Sequence, residues 1–271
     1  MNPRKAATFL VLAVMMSLTA YAAQRVGGTR RWAEYEREMQ DPAEDPPDAY
    51  EKTEFAFARL RYRSFRGGFF RGGGSWGTDS NKAERQFMRG VRRLTRIHTR
   101  SVEEIIDVDS DEVFNWPWLY AVEVGHWDLS DSQAKRLRAY LDRGGFLMVD
   151  DFHGSAEWSI FMNSLHKVFP DRTPVEAPNS DAIFHTIYDL DARFQVPGLQ
   201  WVSSGRTYEQ DGVTARWQAV YDDKGRIQVA ICHNMDLGDA WEWADNPRYP
   251  ERFTSLAYRI GINYIVYAMS H

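Results

Sequence analysis

Apolar residues along this chain follow two patterns, short uninterrupted runs and runs spaced to cover one face of a helix. The uninterrupted runs predict buried strands at residues 55–62, 102–108, 119–124 and 146–149. Helical spacing covers residues 81–98, the segment from Ser130 to Gly144, and residues 158–169. Strands and helices therefore alternate, apart from a direct step between the second and third strands. This order predicts an α/β fold with adjacent parallel strands and helices on both faces.

The second half of the chain has a different pattern. Residues 183–188 and 199–203 are predicted as short extended runs, and residues 217–221 and 226–232 as the strands of a hairpin. An apolar helix is predicted at residues 251–269. The complete prediction is a mostly parallel sheet followed by a C-terminal hairpin and a closing helix.

The most informative stretch is GGFLMVDDFHGS, residues 144–155. Its first two glycines end a helix, and residues 146–149 are too apolar to face water on either side of a sheet. Asp150, Asp151 and His153 follow this strand at once, before Gly154 opens the next helix. Ligands of open parallel sheets bind at the carboxyl ends of the strands. We therefore expect the site at this edge.

The N-terminus predicts export. A basic start is followed by an apolar run and by Ala20-Tyr21-Ala22, which has the pattern of a signal cleavage site. We expect residues 1–22 to be a signal peptide, residues 23–54 a flexible acidic, proline-rich tether, and residues 55–271 a single domain. The uncharged run is also just long enough to span a bilayer, so an uncleaved membrane anchor is the alternative. Either outcome predicts a periplasmic, extracellular or membrane-anchored protein.

The distribution of charged residues indicates which binding partners the chain could have. The formal net charge is -5, yet the stretch from Arg59 to Arg100 is rich in arginine and contains only Asp79 and Glu84 as acids. Such a surface suits anionic lipid, nucleic acid or glycan, and it is also typical of a solvated helix face. The predicted export disfavours nucleic acid. The single cysteine, Cys232, excludes an internal disulfide, and its apolar surroundings predict a buried thiol.

A glycine-rich segment precedes the first helix, and Gly72, Gly74 and Gly77 satisfy the dinucleotide-binding spacing. That motif requires a tight strand-to-helix turn, whereas this loop is long and contains Trp76. We interpret it instead as a flap near a helix N-terminus that favours anions. Gly74, Trp76 and Asp79 are accordingly predicted to contact a ligand.

Three of the seven histidines and five acids directly follow predicted strands, so parallel pairing would bring them to one edge of the sheet. This group contains Asp107, Asp109, His126, Asp150, Asp151, His153, His233 and Asp236, whereas His185 is an outlier. The catalytic candidates are Asp150, Asp151, His153, His233 and Asp236, and the further ligand-binding candidates are His126, His185, Asn234 and Asp239. Asp151, His153, His233 and Asp236 have the ligand types of a zinc, manganese or iron site.

A structural interpretation of the same residues stays open. Asp and His side chains often form hydrogen-bonded pairs that hold loops together, and His185 then becomes a core histidine with satisfied partners. Asp150 and Asp151 favour a site because adjacent carboxylates repel each other and require a cation or a donor. Nucleophilic catalysis is not expected, since Ser155 lacks the nucleophile-elbow glycines and Cys232 lies inside a strand.

Several motifs, taken in order, resemble the bacterial domain of unknown function 4159. They are FAFARLRY, GGGSWGTD, GGFLMVDDFHG, AIFHTIYDL, QVPG, ICHNMDLGDAWE and GINYIVYAMSH. The resemblance covers residues 55–271 and implies a three-layer, flavodoxin-like sandwich similar to class I glutamine amidotransferases. In those enzymes the turn after a strand carries a cysteine, whereas the corresponding turn here is Asp150-Asp151-Phe152-His153-Gly154. Glutamine hydrolysis is therefore not expected.

Relatives of this fold look linked to carbohydrate metabolism, and members of the family look associated with envelope systems. We therefore expect an exported ligand-binding or assembly domain of the cell envelope, whose partners are envelope proteins or a small polar ligand. The alternative is a metal-dependent hydrolase acting on a polar substrate such as a carbohydrate, with a divalent metal as its cofactor.

Overall fold

The computed structural model describes residues 46–64 and 75–271. Within this part, seven strands form one sheet: β1 Ala58–Arg61, β2 Glu104–Asp107, β3 Trp118–Val122, β4 Phe146–Asp150, β5 Val175–Glu176, β6 Arg216–Tyr221 and β7 Ile227–His233. The order across the sheet is β2-β1-β3-β4-β7-β6-β5. The first five strands in this order are parallel, and β6 and β5 add antiparallel pairs at one side. With β7 in fifth place, the parallel strands have the 2-1-3-4-5 order of flavodoxin-like sheets.

Six α-helices belong to the described residues: α1 Lys82–Leu94, α2 Asp131–Asp142, α3 Gly154–Val168, α4 Gln200–Ser204, α5 Leu237–Glu242 and α6 Glu251–Ser270. The capping box predicted at Ser130 is present, because its hydroxyl accepts from Gln133 N and the Gln133 side chain accepts from Ser130 N. Among the described residues, none of the helices combines the length and the hydropathy that a membrane span needs.

Two apolar cores cover the two faces of the sheet, which makes the domain a three-layer sandwich. Strand β4 shows why, since side chains alternate along a strand. Phe146 and Met148 pack into the core formed with α1, α5 and α6, whereas Leu147 and Val149 pack into the core formed with α2 and α3. The α/β fold, the four parallel strands, the hairpin and the closing helix predicted from the sequence are confirmed.

Two predicted extended runs are wrong. Residues 183–188 begin in a short 3₁₀ turn, Ala182–Phe184, where the Asp181 side chain accepts from Ile183 N. The amides of Ile187 and Tyr188 then bond to the Asn263 side chain of α6 and not to a neighbouring strand. The second run, residues 199–203, is helical in α4. Apolar runs this short do not distinguish a strand from a helix by periodicity.

Two side chains of the sheet strands, Arg59 and Cys232, are fully buried. Arg59 of β1 pairs with Glu84 and donates to the carbonyls of Trp76 and Thr78. Cys232 is buried in β7, as predicted. The predicted signal peptide and most of the tether, residues 1–45, lie outside the described residues. The remainder of that segment contacts the domain, where Asp48 accepts from Ser101 N and Oγ at 3.1 and 2.9 Å.

Candidate functional site

Acidic side chains converge at the carboxyl edge of the parallel strands. Asp151 follows β4, Asp236 follows β7, and Asp79 ends the connection that leads from β1 to α1. All three are buried, and each offers a carboxylate oxygen within 4.8 Å of the other two. Asp239 and Glu242 of α5 form a second set with Asp79 under the same criterion. We call these five residues the acidic cluster.

Four residues in and around the acidic cluster have a left-handed backbone conformation. Asp79, Glu123, Asp151 and Asn234 have positive φ angles of 62°, 54°, 53° and 64°. Residues other than glycine rarely adopt this conformation, and such strain is concentrated at functional sites. Arg59 helps to hold the Asp79 turn, because its guanidinium donates to the carbonyl of Thr78, the preceding residue, at 2.9 Å. The fold therefore fixes the directions of these carboxylates through the main chain.

Asp150, the residue before Asp151, is fully buried and is held by hydrogen bonds from β3 and α5. Its Oδ2 accepts from Tyr120 Oη at 3.0 Å and from the backbone amides of Leu237 and Gly238 at 2.8 and 3.0 Å. The carboxylate thereby connects β4 to the first turn of α5. Its Oδ1 is buried without a hydrogen-bond partner among the described residues. Burial raises the pKa of Asp150 to about 7, although these hydrogen bonds oppose the shift.

Burial and like charge make the cluster costly to ionise. Burial raises the pKa of Asp151 well above its usual value, and repulsion from Glu123 and Asp79 raises it further. The pKa of Asp236 is raised in the same way by burial and then by Asp151 and Asp239. Without a cation, burial and mutual repulsion therefore shift Asp151 and Asp236 toward their protonated forms. A bound divalent cation would reverse this preference because it attracts the ionised form.

Two glycines allow the backbone to approach these carboxylates. A Cβ on Gly198 would lie 2.4 Å from Asp236 Oδ2 and 2.7 Å from Asp239 Oδ2. A Cβ on Gly238 would lie 2.3 Å from Asp79 Oδ2 and 2.9 Å from Tyr120 Oη. Real Cβ atoms do not make contacts this short, so any larger residue must displace a cluster carboxylate.

We expect Gly198→Ala to cost about 1 to 3 kcal/mol of unfolding free energy, because the methyl group overpacks the site. Denaturant unfolding would measure this loss. The variant should also respond less to any cation that stabilises the wild type, since Asp236 must move. Gly144→Ala is the control, because Gly144 has a φ of 101° and nothing lies within 4 Å of the position that a Cβ would take there. Gly144→Ala should lose stability because alanine disfavours this backbone conformation, yet it should be stabilised by the cation as much as the wild type is. If the cation stabilised Gly198→Ala as much as the wild type, the expected displacement of Asp236 would be contradicted.

The histidines predicted as metal ligands belong to neither carboxylate set, and of the two only His153 contacts a residue of the cluster. His153 Nε2 is 3.1 Å from Asp151 Oδ1, whereas its Nδ1 is buried without a partner among the described residues. His233 Nε2 hydrogen-bonds to the carbonyl oxygen of Gly154 at 3.1 Å, and its ring packs against Phe152 and Trp158. Burial lowers the pKa of each histidine to about 4. Both rings are therefore neutral at physiological pH.

His126 and Glu157 form the opposite wall of the edge. His126 Nδ1 lies 2.7 Å from Glu123 Oε2, and its Nε2 lies 3.9 Å from Glu157 Oε1. The close contact with the Glu123 carboxylate raises the pKa of His126, against an opposing effect of burial. Burial raises the pKa of Glu157, whose Oε2 accepts from His153 N at 2.6 Å. These groups connect β3 and α3 across the site.

The raised pKa of His126 gives a prediction for the pH dependence of stability. The Glu123 contact favours the imidazolium, so its stabilising effect is complete below the unfolded value near 6.5 and is lost as pH rises through the higher folded value. We expect His126→Gln to be more destabilising at about pH 5.5 than at about pH 8.5. Urea unfolding of both proteins at the two pH values measures the difference. A cost that stays constant, or that grows with pH, would show that the imidazolium is not stabilised.

The other sequence candidates are placed as follows. Asn234 accepts from Gly154 N at 2.8 Å and donates to the carbonyl of Thr214 at 2.7 Å, so it ties three loops together. Trp76 is buried near the Asp79 turn. Gly74 lies outside the described residues.

Three candidates have partners in their own surroundings. His185 is 29% exposed and contacts Asp189 and the carbonyl of Asn179, so it is not a core histidine. Asp107 pairs with Arg61, and Asp109 accepts from Gln133 Nε2 at 2.8 Å. None of these contacts involves the acidic cluster.

Sequence reasoning did not select Glu242, and it selected Asp79 as a ligand contact but not as a metal ligand. A signal for Glu242 was present, because Asp239 and Glu242 are three residues apart and therefore share one face of a helix. Asp79 has no comparable signal. Its place in the cluster depends on a turn that joins β1 to α1, whose geometry the sequence does not specify.

A search of curated proteins finds no relative of this chain. A family model, by contrast, matches most of the folded domain, from Ala56, just before β1, to the last turn of α6. The chain belongs to the family described as Domain of unknown function (DUF4159), which matches residues 56–269.

Proposed function

We propose that this protein is an exported module of the cell envelope that binds a divalent cation in the acidic cluster and, through it, a small polar ligand. The observation that carries the proposal is the convergence of Asp79, Asp151 and Asp236. Their carboxylate oxygens lie within 4.8 Å of one another and all three residues are buried. Oxygen-only donor sets suit Mg²⁺, Ca²⁺ and Mn²⁺ better than Zn²⁺, which favours nitrogen and sulfur.

A second observation favours a cation over a merely structural cluster. Asp150 is fully buried beside Asp151, and its Oδ1 has no hydrogen-bond partner among the described residues. Buried polar atoms without partners are costly, and they often indicate an ion or a water molecule. A cation in the cluster would reduce the electrostatic cost of Asp150 as well as that of Asp151 and Asp236.

Export and ligand binding are supported by different features. The basic, apolar and Ala20-Tyr21-Ala22 segments of the N-terminus have the order of a signal peptide. The cluster lies at the carboxyl edge of the sheet, where open α/β sheets bind ligands. The strand order is also compatible with the proposed likeness to class I glutamine amidotransferases. Their chemistry is not proposed, because Cys232 is buried in β7 and burial raises its thiol pKa well above the usual value.

Metal analysis of the mature protein tests the proposal. After removal of chelator, isothermal titration with Mg²⁺, Ca²⁺ and Mn²⁺ should detect saturable binding that Asp151→Asn weakens by tenfold or more, on the order of the loss of one charged ligand. Asp107→Asn is the matched control, since Asp107 ends another parallel strand of the sheet, β2, but pairs with Arg61. Equal binding by all three proteins, or no binding, would exclude the cluster as a cation site.

Hydrolysis is the second candidate function, and one observation favours it. His126, Glu123 and Glu157 lie beside the cluster, and the pKa values of His126 and Glu157 are raised. Groups with shifted pKa values next to a metal site are suited to proton transfer. A panel of nitrophenyl glycosides and esters, with and without Mn²⁺, tests this function. Hydrolysis that Asp151→Asn and His126→Gln both reduce would favour an enzyme, whereas a rate equal to that of buffer would oppose it.

A further inference from the structure

A separate pocket lies between the start of α3 and the strands β6 and β7. Its volume is about 550 Å³, within the range of small-molecule sites. Trp158, Asp211, Glu176, Arg216, Gln218 and His233 are among the residues that line it. None of the lining residues belongs to the acidic cluster. The pocket is therefore a second potential site on the same side of the domain.

An aromatic surface forms one wall. The rings of Trp158 and His233 pack with their centroids 4.8 Å apart, and Trp158 is only partly buried. His233 Nε2 is 3.1 Å from the carbonyl oxygen of Gly154, so in the neutral ring Nε2 carries the proton and Nδ1 is an acceptor. The wall thus presents an apolar ring face together with a neutral hydrogen-bond acceptor.

The opposite wall carries paired charges. Glu176 Oε1 accepts from Arg216 Nη1 at 3.0 Å, and both side chains are about half exposed. Gln218 faces Glu176 across the β5–β6 pair and contributes both a donor and an acceptor. These strands therefore offer hydrogen bonds in both directions without an excess of positive charge.

The beginning of α3 is already occupied by side chains of the protein. Asp211 accepts from Ser155 N and Ser155 Oγ at 2.8 and 2.7 Å, and Asn234 accepts from Gly154 N at 2.8 Å. An anionic ligand would meet Asp211 and Glu176 instead of free amides. A cationic ligand would meet Arg216, and both carboxylates already have partners, Glu176 in Arg216 and Asp211 in Ser155. Neutral groups that both donate and accept fit these walls best.

We propose that this pocket binds a neutral pyranose sugar, whose hydroxyl groups pair with Asp211, Arg216 and Gln218 while its C–H face packs on Trp158. Hydroxyl groups donate and accept, as this mixed wall requires. Aromatic side chains bind apolar ring faces and supply much of the burial in small-molecule sites. The proposal does not depend on a cation, because the pocket and the acidic cluster share no residue.

Titration calorimetry with the mature protein tests the proposal. The probes are glucose, galactose, mannose and N-acetylglucosamine, with glucuronate and choline as charged comparators. We expect at least one neutral sugar to bind better than both comparators. The double variant Arg216→Ala/Gln218→Ala should weaken that binding about tenfold, equivalent to about 1.4 kcal/mol. Arg216 is exposed and Gln218 is only partly buried, so this variant should fold. Trp158→Ala, which also loses contacts with Phe152 and Phe161, is a supplementary test.

Controls separate this pocket from the cation site. Asp223→Asn, in the exposed β6–β7 turn, should bind the sugar as the wild type does. Chelator and Asp151→Asn should also leave sugar binding unchanged. No binding of any neutral sugar at millimolar concentration, preference for choline or glucuronate, or full binding by the double variant would overturn the proposal. Loss of sugar binding in chelator would overturn it too, because the ligand would then be held by the cation.

Discussion

Replacing Asp150 with alanine should destabilise the domain by about 3 to 5 kcal/mol, more than any other single change at the site. The carboxylate accepts three hydrogen bonds in a fully buried position, from Tyr120 and from the amides of Leu237 and Gly238. Alanine would leave all three donors without this acceptor. Urea unfolding followed by circular dichroism measures the loss.

Two substitutions separate this hydrogen-bonding role from the charge. Asp150→Asn retains a carbonyl acceptor, so its cost should be near about 1 kcal/mol. Asp107→Ala removes a carboxylate at the end of β2, another parallel strand of the sheet, but that side chain is 47% exposed and pairs at the surface with Arg61. Its cost should be below about 1 kcal/mol. An Asp150→Ala variant as stable as Asp107→Ala would show that Asp150 does not anchor α5.

The elements that the sequence predicted correctly are those with long or unambiguous patterns. Strand β4 is apolar on both faces, and the structure buries Phe146 and Leu147 in opposite cores. Helix α2 was specified by Ser130 and Gln133, whose capping box forms. The runs at residues 183–188 and 199–203 failed because tertiary contacts determine their backbone. Asn263, distant in sequence, binds the amides of Ile187 and Tyr188.

The site was predicted correctly where its residues directly follow strands, and incorrectly where tertiary contacts determine their positions. The rule that parallel strands end together correctly predicted that Asp151 and Asp236 meet, because both follow strands directly. It did not identify Asp79 as their partner, since the connection from β1 determines where Asp79 lies. It also could not predict that His233 turns toward Gly154 and away from the carboxylates. Ring orientation depends on packing against Phe152 and Trp158, which a pattern of residue types does not contain.

The second large effect is stabilisation by a divalent cation. A ligand that binds only the folded state at a hundredfold excess over its dissociation constant adds about 2.7 kcal/mol. For a domain of this size, such a gain raises the melting temperature by about 5 to 10 °C. The gain should be lost in Asp151→Asn, because Asp151 belongs to the set in which three buried carboxylates converge. Asp107→Asn should keep it.

The most direct test is therefore a set of melting curves for wild type, Asp151→Asn and Asp107→Asn, each in chelator and in excess Mg²⁺, Ca²⁺, Mn²⁺ or Zn²⁺. The cation site predicts a rise of about 5 to 10 °C for wild type and Asp107→Asn with at least one of the oxygen-preferring metals, and little or no rise for Asp151→Asn. Melting temperatures that are the same in chelator and in every metal, or an undiminished rise in Asp151→Asn, would contradict it.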